Sequence, residues 1–203
     1  MADADRRKPH RLPILIANGF APFPLPLQVV RDQYRARGYA SRVVPFRLAD
    51  MADVERYAAH IAAEAKALTE KNGCDRVHLL GYSMGGVAGL YAIKRLGLAT
   101  RIEAFVGLGS PFHGTMLSWF AVTSGLFSLT GAQLVPNSPF LKRLHADPLP
   151  PGPRYLSIAG SRDLICPPET SLLDGADQRE LPIGHAQFLV NERVPDLVAP
   201  FLR

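Results

Sequence analysis

Five consecutive residues, Gly81-Tyr82-Ser83-Met84-Gly85, place a serine between two glycines. A serine hydroxyl is a weak nucleophile until a neighbouring base takes its proton, and that base needs an acid to hold its tautomer. The glycines suit this chemistry. If Ser83 sits on a sharp strand-to-helix turn with its hydroxyl exposed, side chains two residues before and after it would collide. Gly86 would let the helix pack closely against the strand. An ordinary Gly-rich turn, including a phosphate site, is the alternative reading, but neither G-x-G-x-x-G nor G-K-[ST] is present.

At such a turn the partners follow the serine in the order acid, then histidine. His10 and His60 precede Ser83, and His78 lies inside the run that leads to it. His145 falls in a long connection and reads as solvated or packed. His185, in Leu181-Pro182-Ile183-Gly184-His185, is the expected general base, with His113 as its competitor. Asp163 is the expected acid, ahead of Asp174 and Glu169, which lie further from a strand end. Acyl transfer also needs donors for the tetrahedral oxyanion. By position these are the backbone N–H groups of Met84, next to the nucleophile, and of Phe20, after Asn18-Gly19.

The elements that must carry these residues are legible in the apolar pattern. Leu12 to Ala17 is an almost continuous apolar run, as expected for a strand buried on both faces, with Pro13 at its start. Ser41 to Phe46, Val77 to Leu80, Ile102 to Leu108 and Tyr155 to Ala159 read as further strands. A short segment around Arg179 to Leu181 gives a sixth. Pro45 puts the second strand at a sheet edge or strand end. A Pro-rich loop with Pro22, Pro24 and Pro26 follows the first strand.

Between the strands come helices. Leu27, Val30 and Tyr34 recur at helical spacing up to Gly38. Val54, Tyr57, Ala58, Ile61, Ala62, Ala65 and Leu68 do so more strongly, with Asp50 or Asp53 to cap the start and Asn72-Gly73 to end it. A third helix runs from Met84 to about Leu96, and a helical stretch closes the chain. Strands alternating with helices predict an α/β fold with a mostly parallel six-stranded sheet flanked by helices. Ser83, Asp163 and His185 would then each follow a strand, at the carboxyl edge where open parallel sheets build their sites.

Composition narrows the function classes. Of 203 residues 47% are hydrophobic and 20% charged, which excludes a disordered or coiled-coil chain and fits one domain. The reading is a polar tail over 1–11 and a single domain over 12–203. The net charge of +5 has no aromatic-interleaved basic stripe, so no nucleic-acid partner is expected. Arg6, Arg7, Lys8 and Arg11 read as a solvated tail, with transient contact at an anionic lipid surface as the alternative. Cys74 and Cys166 read as free thiols of a reduced compartment. No secretory signal is visible, so a cytoplasmic location is expected unless a signal has been removed.

One feature departs from the average. Between Glu103 and Lys142 there are 38 residues without Asp, Glu, Lys or Arg. Average usage would put roughly eight there. The window Thr115 to Leu134 holds too many Ser, Thr, Gln and Gly residues for a membrane span. The stretch lies instead in the roughly 40-residue connection after the fourth strand, about 114–154, and connections of that length usually carry function. Trp119, Phe120, Leu126, Phe127 and Leu129 would line an apolar pocket, of which Trp119, Phe120 and Phe127 are the expected substrate-binding residues. A plain core helix pair is the competing reading.

Together, I-L-I-A-N-G-F at 14 to 20, L-G-Y-S-M-G-G at 80 to 86, G-L-G-S-P-F-H-G-T at 107 to 115, G-S-R-D-L-I-C-P-P at 160 to 168 and G-H at 184 and 185 resemble the bacterial lipase and esterase branch of the α/β-hydrolase superfamily. The resemblance implies an α/β-hydrolase fold with a cap or lid insertion after the fourth strand. It further implies hydrolysis of carboxylic esters, lipid-like or other acyl esters, through an acyl-enzyme, without metal or organic cofactor. His113 would shape the site. Asn18 departs from the pattern, since these enzymes usually carry His before that Gly. An acyltransferase with the same three residues, or a silent lipid- or partner-binding module of the same fold, are the alternatives.

Overall fold

The computed structural model describes residues 11–20, 27–45, 47–118 and 128–203. Six strands form one sheet: β1 (Ile14–Ala17), β2 (Ser41–Val43), β3 (Val77–Tyr82), β4 (Ile102–Leu108), β5 (Arg154–Gly160) and β6 (Asp177–Leu181). The spatial order is β2-β1-β3-β4-β5-β6, and every pairing is parallel. Pro45 follows an edge strand, as its missing donor requires. The other edge, β6, begins two residues before the segment expected from its sequence. Its Asp177, Gln178, Arg179 and Glu180 are exposed, so no apolar alternation announces it. Exposed charges at an edge also discourage pairing with another chain.

Residues of alternate parity point to opposite faces of a strand, and the core divides accordingly. Ile14, Ile16, Leu80, Ala104, Val106, Leu156 and Ile158 join one buried cluster, covered by α1 (Leu27–Ala36) and the C-terminal helix. Leu15, Ala17, Leu79, Phe105 and Tyr155 join the other, under α2 (Val54–Asn72) and α3 (Met84–Arg95). Each large side chain so buried contributes roughly 1.5–3 kcal/mol relative to exposure. The strand ends are thereby fixed from both sides.

The helix signals resolve into particular caps. Asp53 accepts from Glu55 N–H at 2.9 Å and opens α2, and Gly73 in the left-handed region at φ 59° closes it. Asp50, the other candidate cap, is committed elsewhere, as described below. Of the long connection after β4, the described part holds α4 (Ser128–Leu134) and α5 (Pro139–His145). Leu134, Phe140, Leu141 and Leu144 are buried in the α2/α3 cluster. Gln133 accepts from Val54 N–H and donates to Asp53, so α4 is tied to the start of α2. This half of the connection is core, whereas Leu129 is about half exposed. Trp119, Phe120, Leu126 and Phe127 lie outside the described residues, as do 1–10 and the Pro-rich loop. Among the described residues no helix is long and apolar enough to cross a membrane. Two further helices, α6 (Pro168–Ser171) and α7 (Arg193–Phe201), flank β6 in sequence.

Candidate active site

Three side chains from three strand ends converge in a hydrogen-bonded line. Ser83 follows β3, Asp163 follows β5 and His185 follows β6 in a short 3-10 turn, His185–Leu189. The Ser83 hydroxyl lies 3.1 Å from Nε2 of His185, and Nδ1 of His185 lies 2.6 Å from Oδ2 of Asp163. An ionised carboxylate only accepts, so Nδ1 carries the proton and Nε2 is left as an acceptor toward the serine O–H. The Asp163 side chain has 0% exposure and that of His185 13%. The carboxylate is therefore shielded from water while the imidazole remains reachable.

The chain reaches this arrangement through a strained turn. Ser83 has φ 53° and ψ −127°, a conformation that costs a non-glycine residue on the order of 1–3 kcal/mol. It occupies the cap position of α3, yet its hydroxyl caps nothing there and faces the histidine. The donation of Ser83 N–H to the Leu108 carbonyl, at 2.9 Å, pins the turn to the end of β4. Gly81 is required by close approach: a Cβ there would stand 2.4 Å from the Cα of Gly86. At Gly19 a Cβ would lie 2.9 Å from the Cβ of Ser83 and 3.0 Å from the Tyr82 ring. The loop after β1 thus lies directly against the serine.

Asp163 is held by more than the histidine. Its Oδ1 accepts from Ile165 N–H at 2.9 Å and from Cys166 N–H at 2.8 Å. Two amide donors on one carboxylate oxygen fix the orientation in which the other oxygen meets His185. The Tyr82 hydroxyl donates to the His185 carbonyl at 3.3 Å, and its ring lies 5.0 Å from the imidazole. Burial pushes the Tyr82 phenol up, helped by the Asp163 charge, so it stays a neutral donor. Cys166 is buried beside this line. Burial and the Asp163 charge push its thiol up, only partly offset by a hydrogen bond with Ser83, which leaves it protonated and unreactive. Tyr82, Ile165 and Cys166 were not anticipated. A short Asp-x-x-Cys turn is a recognisable signal for amide donors to an aspartate, but tyrosine beside the serine gives no such cue.

The remaining candidates fall into place around the line. Met84 is the first residue of α3, where helical N–H groups lack an intrahelical partner and the dipole favours negative charge. Phe20 is partly exposed at the end of the described β1 loop. His113 is directed away from Ser83 chemistry: its Nε2 lies 3.1 Å from the Leu172 carbonyl, and its ring stacks on His145 at 4.9 Å. His145 in turn meets the Phe112 carbonyl at 2.8 Å. Asp174 lies 4.0 Å from His113 and is exposed. Among the described residues no three His, Cys, Asp or Glu side chains are grouped so as to hold a metal.

Residues 14–202 match the model of the alpha/beta hydrolase family. No curated protein matches the sequence. Among solved structures the chain is similar to the mature form of the Bacillus licheniformis lipase BlEst2, with TM-score 0.80 and 18% identity over 99% of this chain and 96% of that one. It is also similar to the metagenomic carboxyl esterase MGS0156, with TM-score 0.76 and 16% identity over 96% and 76% of the two chains. Lipase B of Aspergillus fumigatus gives TM-score 0.73 and 16% identity over 91% of this chain and 50% of that one. At these identities the likeness is one of fold.

Proposed function

The chain belongs to the alpha/beta hydrolase family, and from that premise we propose that it hydrolyses carboxylic esters through an acyl-enzyme on Ser83. The observation that carries this reading is the unbroken line Ser83–His185–Asp163, with contacts of 3.1 and 2.6 Å. As Ser83 Oγ attacks the ester carbonyl, Nε2 of His185 takes its proton and the carboxylate of Asp163 stabilises the resulting imidazolium. Collapse of the tetrahedral intermediate passes that proton to the leaving alkoxide. Water then attacks the acyl-enzyme with His185 again as base, and Ser83 is released. The N–H groups of Met84 and Phe20 are assigned to the oxyanion, where one such donor is worth about 10²–10³ in rate.

The acyl side of the substrate is assigned to the uncharged connection after β4, with Trp119, Phe120 and Phe127 as its aromatic lining. A nitrophenyl ester series from acetyl to palmitoyl tests this: maximal turnover at octanoyl or longer supports a lipid-like substrate, and a maximum at acetyl or butyryl refutes it. For the mechanism, Ser83→Ala is expected to abolish both nitrophenyl ester turnover and labelling by a fluorophosphonate. Retained turnover in that variant would overturn the assignment.

A further inference from the structure

The residue in front of the nucleophile is held from two sides of the site. Tyr82, at the end of β3, is 5% exposed, and its ring packs against the loop after β1, since a Cβ at Gly19 would stand 3.0 Å from two of its ring carbons. It also joins the buried cluster that contains Ile183, Phe188 and Leu189, the residues flanking His185. A side chain so placed has little freedom to move away from the histidine.

Tyr82 meets His185 twice. Its hydroxyl donates to the His185 carbonyl at 3.3 Å, and its ring centroid lies 5.0 Å from that of the imidazole at an interplanar angle of 36°. Rings with centroids this close cannot lie edge to edge in one plane without overlap of their atoms, and a T-shaped pair needs planes near a right angle. The imidazole is accordingly offset over the π face, the negative part of the ring's quadrupole, where a cation within about 6 Å is stabilised. The imidazole nitrogens are already taken, Nδ1 by Asp163 and Nε2 by Ser83. Among the described residues Asp163 is the only charged group paired with His185. The Tyr82 phenol is neutral, and Cys166, whose thiol bonds Ser83, is protonated. The ring face is therefore a further partner whose attraction grows when the imidazole gains a proton.

We propose that Tyr82 is a positioning residue for His185, its hydroxyl fixing the backbone of the turn and its ring face stabilising the imidazolium that forms as Ser83 attacks. The effect on rate rests on the proposed ester hydrolysis, whereas the contact between ring and imidazolium does not. A neutral imidazole gains little from the face and an imidazolium gains more, so the contact is stronger in the transition state than in the resting enzyme. Its expected worth is about threefold to tenfold in kcat.

Fluorination separates the charge of the ring face from its shape. Tyr82→Phe removes the hydroxyl and keeps the ring, and mono-, di- and trifluorophenylalanine at the same position then drain the face stepwise at nearly constant size. From phenylalanine to trifluorophenylalanine, kcat on a nitrophenyl ester is expected to fall at least about threefold with KM within about twofold. In the same series built on Ser83→Ala, the pH midpoint of the His185 ring signals in NMR spectra is expected to drop by about 0.5 pH unit, because a weaker face disfavours the charged ring. That second measurement needs no turnover. A stepwise drop in a chain that hydrolyses no ester would support the contact while refuting the proposed function. A flat series in both measurements would overturn the proposal and leave Ser83-dependent hydrolysis standing. A falling midpoint with kcat unchanged would overturn the role in turnover, and a midpoint that moves only on loss of the hydroxyl would overturn the role of the ring.

Discussion

Two histidine–carboxylate pairs of the same length sit in this molecule. His185 meets Asp163 at 2.6 Å, and His60, on α2, meets Asp50 at 2.6 Å. What differs is the second ring nitrogen. In His185 it faces the Ser83 hydroxyl, and in His60 it faces a second carboxylate, Glu64, at 3.6 Å with no hydrogen bond. The His60 pair is also the more deeply buried, with side-chain exposures of 4% and 3%. A carboxylate-held imidazole is therefore common currency in the fold. The two pairs part where a strained turn presents the Ser83 hydroxyl to the free nitrogen of His185 and leaves that ring partly exposed.

Removing the carboxylate of each pair in turn breaks the comparison most sharply. Asp163→Asn is expected to lower kcat on a nitrophenyl ester by about 10⁴, since the neutral amide no longer fixes the tautomer or stabilises the imidazolium. Asp50→Asn is expected to leave kcat within about threefold. A loss of equal size in both variants would show that the His60 pair contributes to chemistry. For stability, removing one partner of a buried hydrogen bond costs about 1–3 kcal/mol. Asp50→Asn should therefore lower the unfolding free energy measured in urea by about that amount, with a smaller loss for His185→Ala at the partly exposed ring.

The two pairs were unequally visible in the sequence, for physical reasons. Gly81 to Gly86 sits between an apolar run and a periodic helix, so the turn, the strand and the serine were legible together. Asp163 and His185 followed from chain order and strand ends. Asp50 read equally well as a helix cap, because local spacing cannot tell a cap from a residue that folds back ten positions onto His60. The periodicity of α2 identified Tyr57 as core, which it is, but not that its hydroxyl reaches Asn18. Period reveals a face and not the direction of a polar tip. In the connection after β4, absence of charge fitted either an acyl wall or a core helix pair. Leu134, Phe140 and Leu141 take the second role.

A third histidine sharpens the comparison by having no carboxylate partner. His78, in β3, is 1% exposed with its Nδ1 unpaired, and its ring lies edge-on to Tyr39. Burial pushes it down to about 4, aided by the Arg154 charge and opposed by Glu103. Between pH 6.5 and pH 4 the unfolded chain therefore takes up a proton that the folded chain refuses, so stability is present above that window and falls as the pH drops through it. The loss is on the order of 3 kcal/mol by pH 4. His78→Leu should flatten the urea-measured stability across this window relative to the parent protein. An unchanged slope would show that the folded protein accommodates the charged ring.

The smallest expected effect concerns how the loop beside the nucleophile is held. Tyr57 grips both backbone groups of Asn18 from α2, the helix that also carries His60. Gly19, the next residue, rests on Ser83, and Phe20 follows with the N–H assigned to the oxyanion. Tyr57→Phe keeps the ring in the core but leaves the buried N–H and carbonyl of Asn18 without the hydroxyl, at a cost of about 1–3 kcal/mol. If the loop relaxes as a result, the donor moves away from a charge that exists only in the transition state. kcat should then fall roughly tenfold with KM within about twofold, because only interactions made in the transition state are weakened. A fall in stability with kcat unchanged would place Tyr57 with His60 as a packing residue and confine the chemistry to the three strand ends.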